Sequence, residues 1–354
     1  MPHIGILGTG RIDERESAFP QAVQLSNGEI LCSFSVGGGP NVTGGTDWAR
    51  STDGGETWSV EGTILPLDQS AELASFLKLS LSPDGKTIYA YGSQIDNHPE
   101  VPFGGRHANA VLCRSTDGGH TWSPPDEIPL PVDGSLEVSH GILPLRSGRL
   151  LAPAATLPAE HRLGEQVLVA ISDDDGRSWP DHSVVFQDPR GKLGYFEQKL
   201  AEFAPDRVIA TAWTVTMGDY ADQPDSFAIS NDGGRTWGPA RSTDIQGQTM
   251  TPVPLGDDRL LVLYNRRYGE QAIMMCLVTF TQDDWTIWHE STMYDAKAHR
   301  KRAADLESGI DELDSFAFGF PTAIALQDGS HLATHWCVEN GVCGIRWTKL
   351  RVTW

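Results

Sequence analysis

The sequence predicts an all-β protein made of about six repeated units, arranged as an array or a propeller. Three observations lead there. An eight-residue pattern, Ser-x-Asp-x-Gly-x-Ser/Thr-Trp, occurs four times, beginning at Ser51, Ser115, Ser172 and Ser230. The copies are 64, 57 and 58 residues apart, and a period near 58 divides 354 residues into about six units. The chain also carries 37 Gly, 22 Pro and 11 Trp with few helical patterns, a composition that suits short strands joined by tight turns.

The pattern is a folding device. Its Asp (Asp53, Asp117, Asp174, Asp232) can accept hydrogen bonds from the amides of its own turn, and its Gly can take a positive φ. Its Trp closes the unit by burying a large ring. Thr281–Trp288 reads as a decayed fifth copy without its Gly, and the sixth unit, near Gly341 to Trp354, has no recognisable copy.

Each unit opens with two apolar strands around a turn. Unit one has Phe19–Leu25, the hairpin signal Asn27-Gly28, and Ile30–Phe34. The corresponding first strands are Leu77–Leu81, Gly141–Leu145, Lys199–Phe203, Thr251–Leu255 and Pro321–Leu326. The units are expected over about 16–60, 72–124, 137–181, 196–240, 248–290 and 316–354 within a single domain. The glycine spacing of His3–Gly10 does not fit a dinucleotide-binding turn. The stretch at 3–8 is expected instead as the outermost strand of the last unit, closing the ring and removing open edges. Residues 295–309, from Asp295 as cap to Gly309 as stop, are expected as a helix packed beside the ring, with a lid or a homo-oligomer contact as alternatives.

Strand alternation sorts the loops by face. With the start of each first strand as the top, the Asp-containing turns fall at the bottom. The longer, irregular loops, such as 35–46 and 94–107, fall at the top, where a site belongs.

The formal charge is −20 and the pI about 4.8, which disfavours nucleic acid and anionic membranes as partners. Five scattered Cys do not form a disulfide framework, although Cys337 and Cys343 could face each other across a hairpin. With no signal peptide or apolar run of transmembrane length, the chain reads as cytoplasmic. No tight ligand spacing such as His-x-x-x-His points to a metal, and no cofactor is expected.

The four repeats resemble the Asp boxes of the sialidase (neuraminidase) superfamily, and the resemblance spans nearly the whole chain. It implies a six-bladed β-propeller with four-stranded antiparallel blades and a carbohydrate site at the top of the axis, one that can take an anionic substrate. Position by position, it implies Glu197 at the head of a first strand, with Gln198 beside it, and Asp47, four residues before Ser51, as an acid–base residue. It also implies Arg266 and Arg267, with Tyr268 next to them, where family arginines grip a carboxylate by bidentate hydrogen bonds. The chain departs from the family at two places. Ala18 stands where an Arg precedes Pro20, leaving Arg15 as the nearest candidate, and Phe316–Phe320 offers no Tyr nucleophile. The expected activity is therefore an exo-acting glycoside hydrolase that is not a strict sialidase, with Asp47 and Glu197 as the carboxylate pair. His140 and His107 supply the rival, a polysaccharide lyase with a histidine base at a uronic acid. A non-catalytic glycan-binding propeller is the third reading.

Overall fold

The structure, a computed structural model, describes residues 1–101, 104–132, 134–300 and 316–354. Six antiparallel sheets follow one another along the chain as the blades of a propeller. The first blade is Ser17–Gln24, Ile30–Val36, Thr46–Ser51 and Ser59–Leu65, innermost strand first. The innermost strands of blades two, four, five and six are Leu73–Leu81, Leu193–Ala204, Gln248–Gly256 and Phe318–Ala325. Blade three has its innermost strand in two pieces, Ser135–Glu137 and Leu143–Pro144, which both pair with Leu150–Leu157. The expected strand at Gly141–Leu145 is therefore shorter than foreseen, and an irregular bend at 138–142 reaches the axis.

The ring closes as the stretch at 3–8 predicts. His3–Asp13 pairs antiparallel with Val342–Thr353 and becomes the outermost strand of blade six. Neighbouring blades interleave side chains. Leu145, Leu151 and Val169 of blade three, for example, pack with Leu200, Val208 and Ala210 of blade four.

All four Asp boxes fall in the hairpins between third and fourth strands. In the first, Ser51 Oγ donates to Asp53 Oδ1 at 2.8 Å, and the amide and hydroxyl of Thr57 both donate to Asp53. The indole of Trp58 then closes onto the Gly55 carbonyl at 2.9 Å. The same Ser-to-Asp and Thr/Ser-to-Asp bonds recur around Asp117, Asp174 and Asp232. The decayed copy makes the equivalent turn of blade five, with Thr286 Oγ1 donating to Asp284 at 2.8 Å.

One expectation needs correction. Residues 295–300 belong to a long strand, Trp285–Arg300, rather than opening a helix, and the rest of the expected helix, 301–309, lies outside the described residues. Cys337 and Cys343 lie on the two strands of one hairpin, with Cys337 opposite Gly344 and Cys343 opposite Val338, and all five cysteines are buried free thiols. Among the described residues, no helix is long and apolar enough to cross a membrane.

Candidate active site

Four innermost strands carry the same irregularity. Their pairing slips between Ala18 and Gln21, Phe196 and Lys199, Gln248 and Thr251, and Gly319 and Thr322. At each slip one non-glycine residue takes a positive φ: Phe19 at 55°, Glu197 at 48°, Thr249 at 54° and Phe320 at 52°. Each such residue costs roughly 1–3 kcal/mol, and such strain concentrates at ligand sites held by their surroundings. These bulges aim side chains at the axis that a regular strand would turn into the sheet faces.

Below the bulges the axis is filled. Lys78, from blade two, lies beneath the Phe76 ring at 4.0 Å and donates to the Val138 carbonyl at 2.5 Å. Lys199, from blade four, stacks on Phe320 at 3.4 Å and donates to the next carbonyl, Ser139. Two fully buried ammonium groups thus clamp the bend of blade three between them. Burial pushes both below the usual lysine range, Lys199 to about 7.

That clamp positions Glu137, the residue before the bend. Its Oε2 accepts the Glu197 amide at 3.1 Å, while Oε1 is buried without a hydrogen-bond partner. Burial first, and the neighbouring Glu197 charge second, push the Glu137 carboxyl up to about 7. Glu197 is half-buried, and burial raises its carboxyl too, opposed by the charges of Lys199, Arg267 and Lys78. His140, in the same bend, has no partner at Nδ1; burial and the two lysines bring it down to about 3 and keep it neutral.

Arg267 reaches this group from blade five. Its guanidinium lies on the rings of Phe316, at 3.8 Å, and Phe318, at 4.3 Å. It is held from behind by a relay in which Arg267 Nε donates to Gln248 Oε1 at 3.2 Å and Gln248 Nε2 to Asp222 Oδ2 at 3.2 Å. The Trp213 indole donates to the other Asp222 oxygen at 2.7 Å. Asp225, fully buried nearby, is pushed well above the carboxylate range by burial, Asp222 and Glu197.

Of the residues singled out in the sequence, the structure brings Glu197, His140 and Arg267 into one electrostatic group. Gln198, adjacent to Glu197, is fully buried and neither of its amide atoms is hydrogen-bonded. Asp47 makes its contacts elsewhere, on the third strand of blade one, with Thr63 Oγ1 at 2.7 Å and Arg15 at 3.1 Å. Arg15 also binds Asp13 at 2.7 Å. Arg266 folds back onto the Glu270 carbonyl at 2.8 Å, and Tyr268 sits half-buried in that hairpin. His107 is exposed, and its amide donates to Asp96. Glu137, Lys78 and Asp222 escape a reading by motif. Glu137 does, however, precede Glu197 by 60 residues, one repeat, and that spacing is the signal that finds it. Among the described residues no group of three or more His, Cys, Asp or Glu could hold a metal ion.

A closed ring of Asp-box blades around a charged axial cluster defines a propeller of the sialidase type. Residues 102–332 match the model of the BNR repeat-like domain, and residues 49–60 match the BNR/Asp-box repeat. The chain belongs to the BNR repeat-like family. A sialidase of Micromonospora viridifaciens is 24% identical over 335 residues, covering 86% of this chain and 46% of that protein. The chain thus spans about half the length of that relative. A protein of unknown function from Dyadobacter fermentans shares the fold over the whole of both chains, with a TM-score of 0.79 and 22% identity. So does an α-L-arabinanase of Penicillium chrysogenum complexed with arabinobiose, over 98% of both chains, with a TM-score of 0.66 and 15% identity.

Proposed function

We propose that the chain is a glycoside hydrolase acting on the end of a glycan, with Glu137 and Glu197 as its carboxylate pair. One observation carries this reading: the Glu137 carboxyl accepts the Glu197 amide at 3.1 Å across adjacent blades, and burial with the charge of Glu197 raises it to about 7. Glycoside hydrolysis needs such a division, one carboxylic acid and one carboxylate. Glu137, the more deeply buried, gives its proton to the leaving glycosidic oxygen as the bond to the anomeric carbon breaks. Glu197, facing Arg267 and Lys199, remains the anion and supports addition of water at that carbon, directly or through a glycosyl intermediate. The water proton then restores the pair. The fold shared with a sialidase and an arabinanase supports carbohydrate chemistry without naming the sugar.

The eliminative alternative has one observation in its favour, the neutral, unpartnered Nδ1 of His140, which could accept a proton next to a uronate carboxylate. A new double bond absorbing in the ultraviolet would identify that reaction.

Glu197→Gln is the test of hydrolysis. It keeps the shape and removes the charge, so melting should be nearly unchanged while release of reducing sugar falls at least ~100-fold. Unchanged turnover in this variant would remove the carboxylate mechanism.

A further inference from the structure

We infer that this axial site takes an uncharged glycosyl end and turns away sugars that carry a carboxylate. The inference rests on the proposed function and concerns its substrate class. It comes from where the cations point. Five of them, Arg15, Arg106, Arg266, Lys78 and Lys199, are bound to acceptors of the protein itself. Arg15 is held by Asp13 and Asp47. Arg106 donates to the carbonyls of Asp96, Asn41 and Val42 at 2.6, 2.7 and 3.0 Å. Arg266 donates to the Glu270 carbonyl. Lys78 and Lys199 are fully buried against aromatic rings and main-chain carbonyls.

Arg267 is the cation nearest the carboxylate pair, and its surroundings are the most restrictive. Two phenyl rings cover its guanidinium, Gln248 accepts from Nε, and the field of Glu197 already uses its charge. A ligand carboxylate seeks a guanidinium fork with two open parallel donors. To obtain one here it would have to compete with Glu197, beside a second carboxyl at Glu137. It would also approach a protein of formal charge −20, whose field opposes anions before contact. A neutral sugar meets none of these obstacles. Its hydroxyls are donors, and Glu197, the half-buried member of the carboxylate pair, is an acceptor for them.

The test uses matched glycosides that differ in one group: glucoside against glucuronide, galactoside against galacturonide, with an α-L-arabinofuranoside and a sialoside added. Binding is followed by saturation-transfer NMR and calorimetry on the unaltered protein with the matched thioglycosides, which resist hydrolysis, and kcat/KM is measured with the O-glycosides. The neutral member of the productive pair should bind at least ~10-fold more tightly, and more so at low salt, where charge repulsion is least screened. An acidic sugar that binds as well as its neutral partner overturns the inference. It leaves the hydrolase reading intact if Glu197→Gln still abolishes turnover. Absence of binding and turnover across the whole panel removes the hydrolase reading, and this inference with it.

Discussion

At the scale of single residues, the decisive contrast is between Glu137 and His140, three positions apart at the bend of blade three. Burial moves them in opposite directions, because it disfavours whichever form is charged. The Glu137 carboxyl, pushed up to about 7, holds its proton below that pH and loses it above. If Glu137 is the proton donor, turnover should fall about tenfold per pH unit above ~7, and Glu137→Gln should lower it at least ~100-fold. His140, brought down to about 3, stays neutral across the working range and should add no limb between pH 5 and 8. A limb that disappears in His140→Gln would instead mark a titrating histidine and favour elimination. Of this cluster, Glu197 could be read from its place at the head of a first strand, and Arg267 from its motif. Glu137 can be found only by its spacing, 60 residues before Glu197, because it stands just before a break in its strand and no strand pattern marks it. Lys78 and Lys199 also hide: Lys78 lies in an apolar run, Lys199 follows Glu197 and Gln198, and only the fold turns their ammonium groups toward carbonyls of another blade.

At the scale of elements, the Asp boxes are local structures written into eight residues, and all four form where their spacing puts them. Their hydrogen bonds are to the carboxylate, so they hold these acids below the usual range, Asp117 and Asp174 to about 2. A group whose folded value is depressed contributes stability above its unfolded value, near 4, and that contribution is lost as the pH falls toward 2. Asp117→Ala should therefore lower stability by ~1 kcal/mol at pH 7, as for a lost cap, and narrow the gap to the parent protein as the pH falls from 4 to 2. It should leave turnover unchanged; a loss of turnover without a loss of melting temperature would give the box a catalytic role. The strand Trp285–Arg300 shows the opposite relation between local signal and structure. Asp295 does accept the Lys297 amide, at 2.7 Å, as a cap would. Lys297, however, takes a φ of 52°, and the turn becomes a bulge in a strand paired with Gly269–Phe280. Helix propensity over a few residues is a weak preference, and ladder pairing overrides it.

At the scale of the whole molecule, the ring depends on a junction between the two ends of the chain. His3–Asp13 is the outermost strand of the last blade, and without it Val342–Thr353 would present an open edge. The junction is fastened by more than the ladder. Thr9 Oγ1 donates to the Trp347 carbonyl at 2.9 Å, and Arg11 pairs with Glu339 at 2.7 Å. The Trp347 indole lies over Gly10 so closely that a Cβ there would come within 2.7 Å of its Nε1. Gly10→Ala must displace that ring and should cost ~1–3 kcal/mol, while the protein keeps its oligomeric state. Removing residues 1–13 is a different perturbation, because it exposes a long unpaired strand that can pair with another copy. The shortened chain should melt lower and self-associate in a concentration-dependent way by light scattering. A peptide of residues 1–13 added in trans should occupy the vacant edge, raise the melting temperature and return the scattering toward that of the intact chain. If the shortened chain melts like the parent and stays dispersed, ring closure by this strand does not hold the propeller together, and inter-blade packing alone suffices.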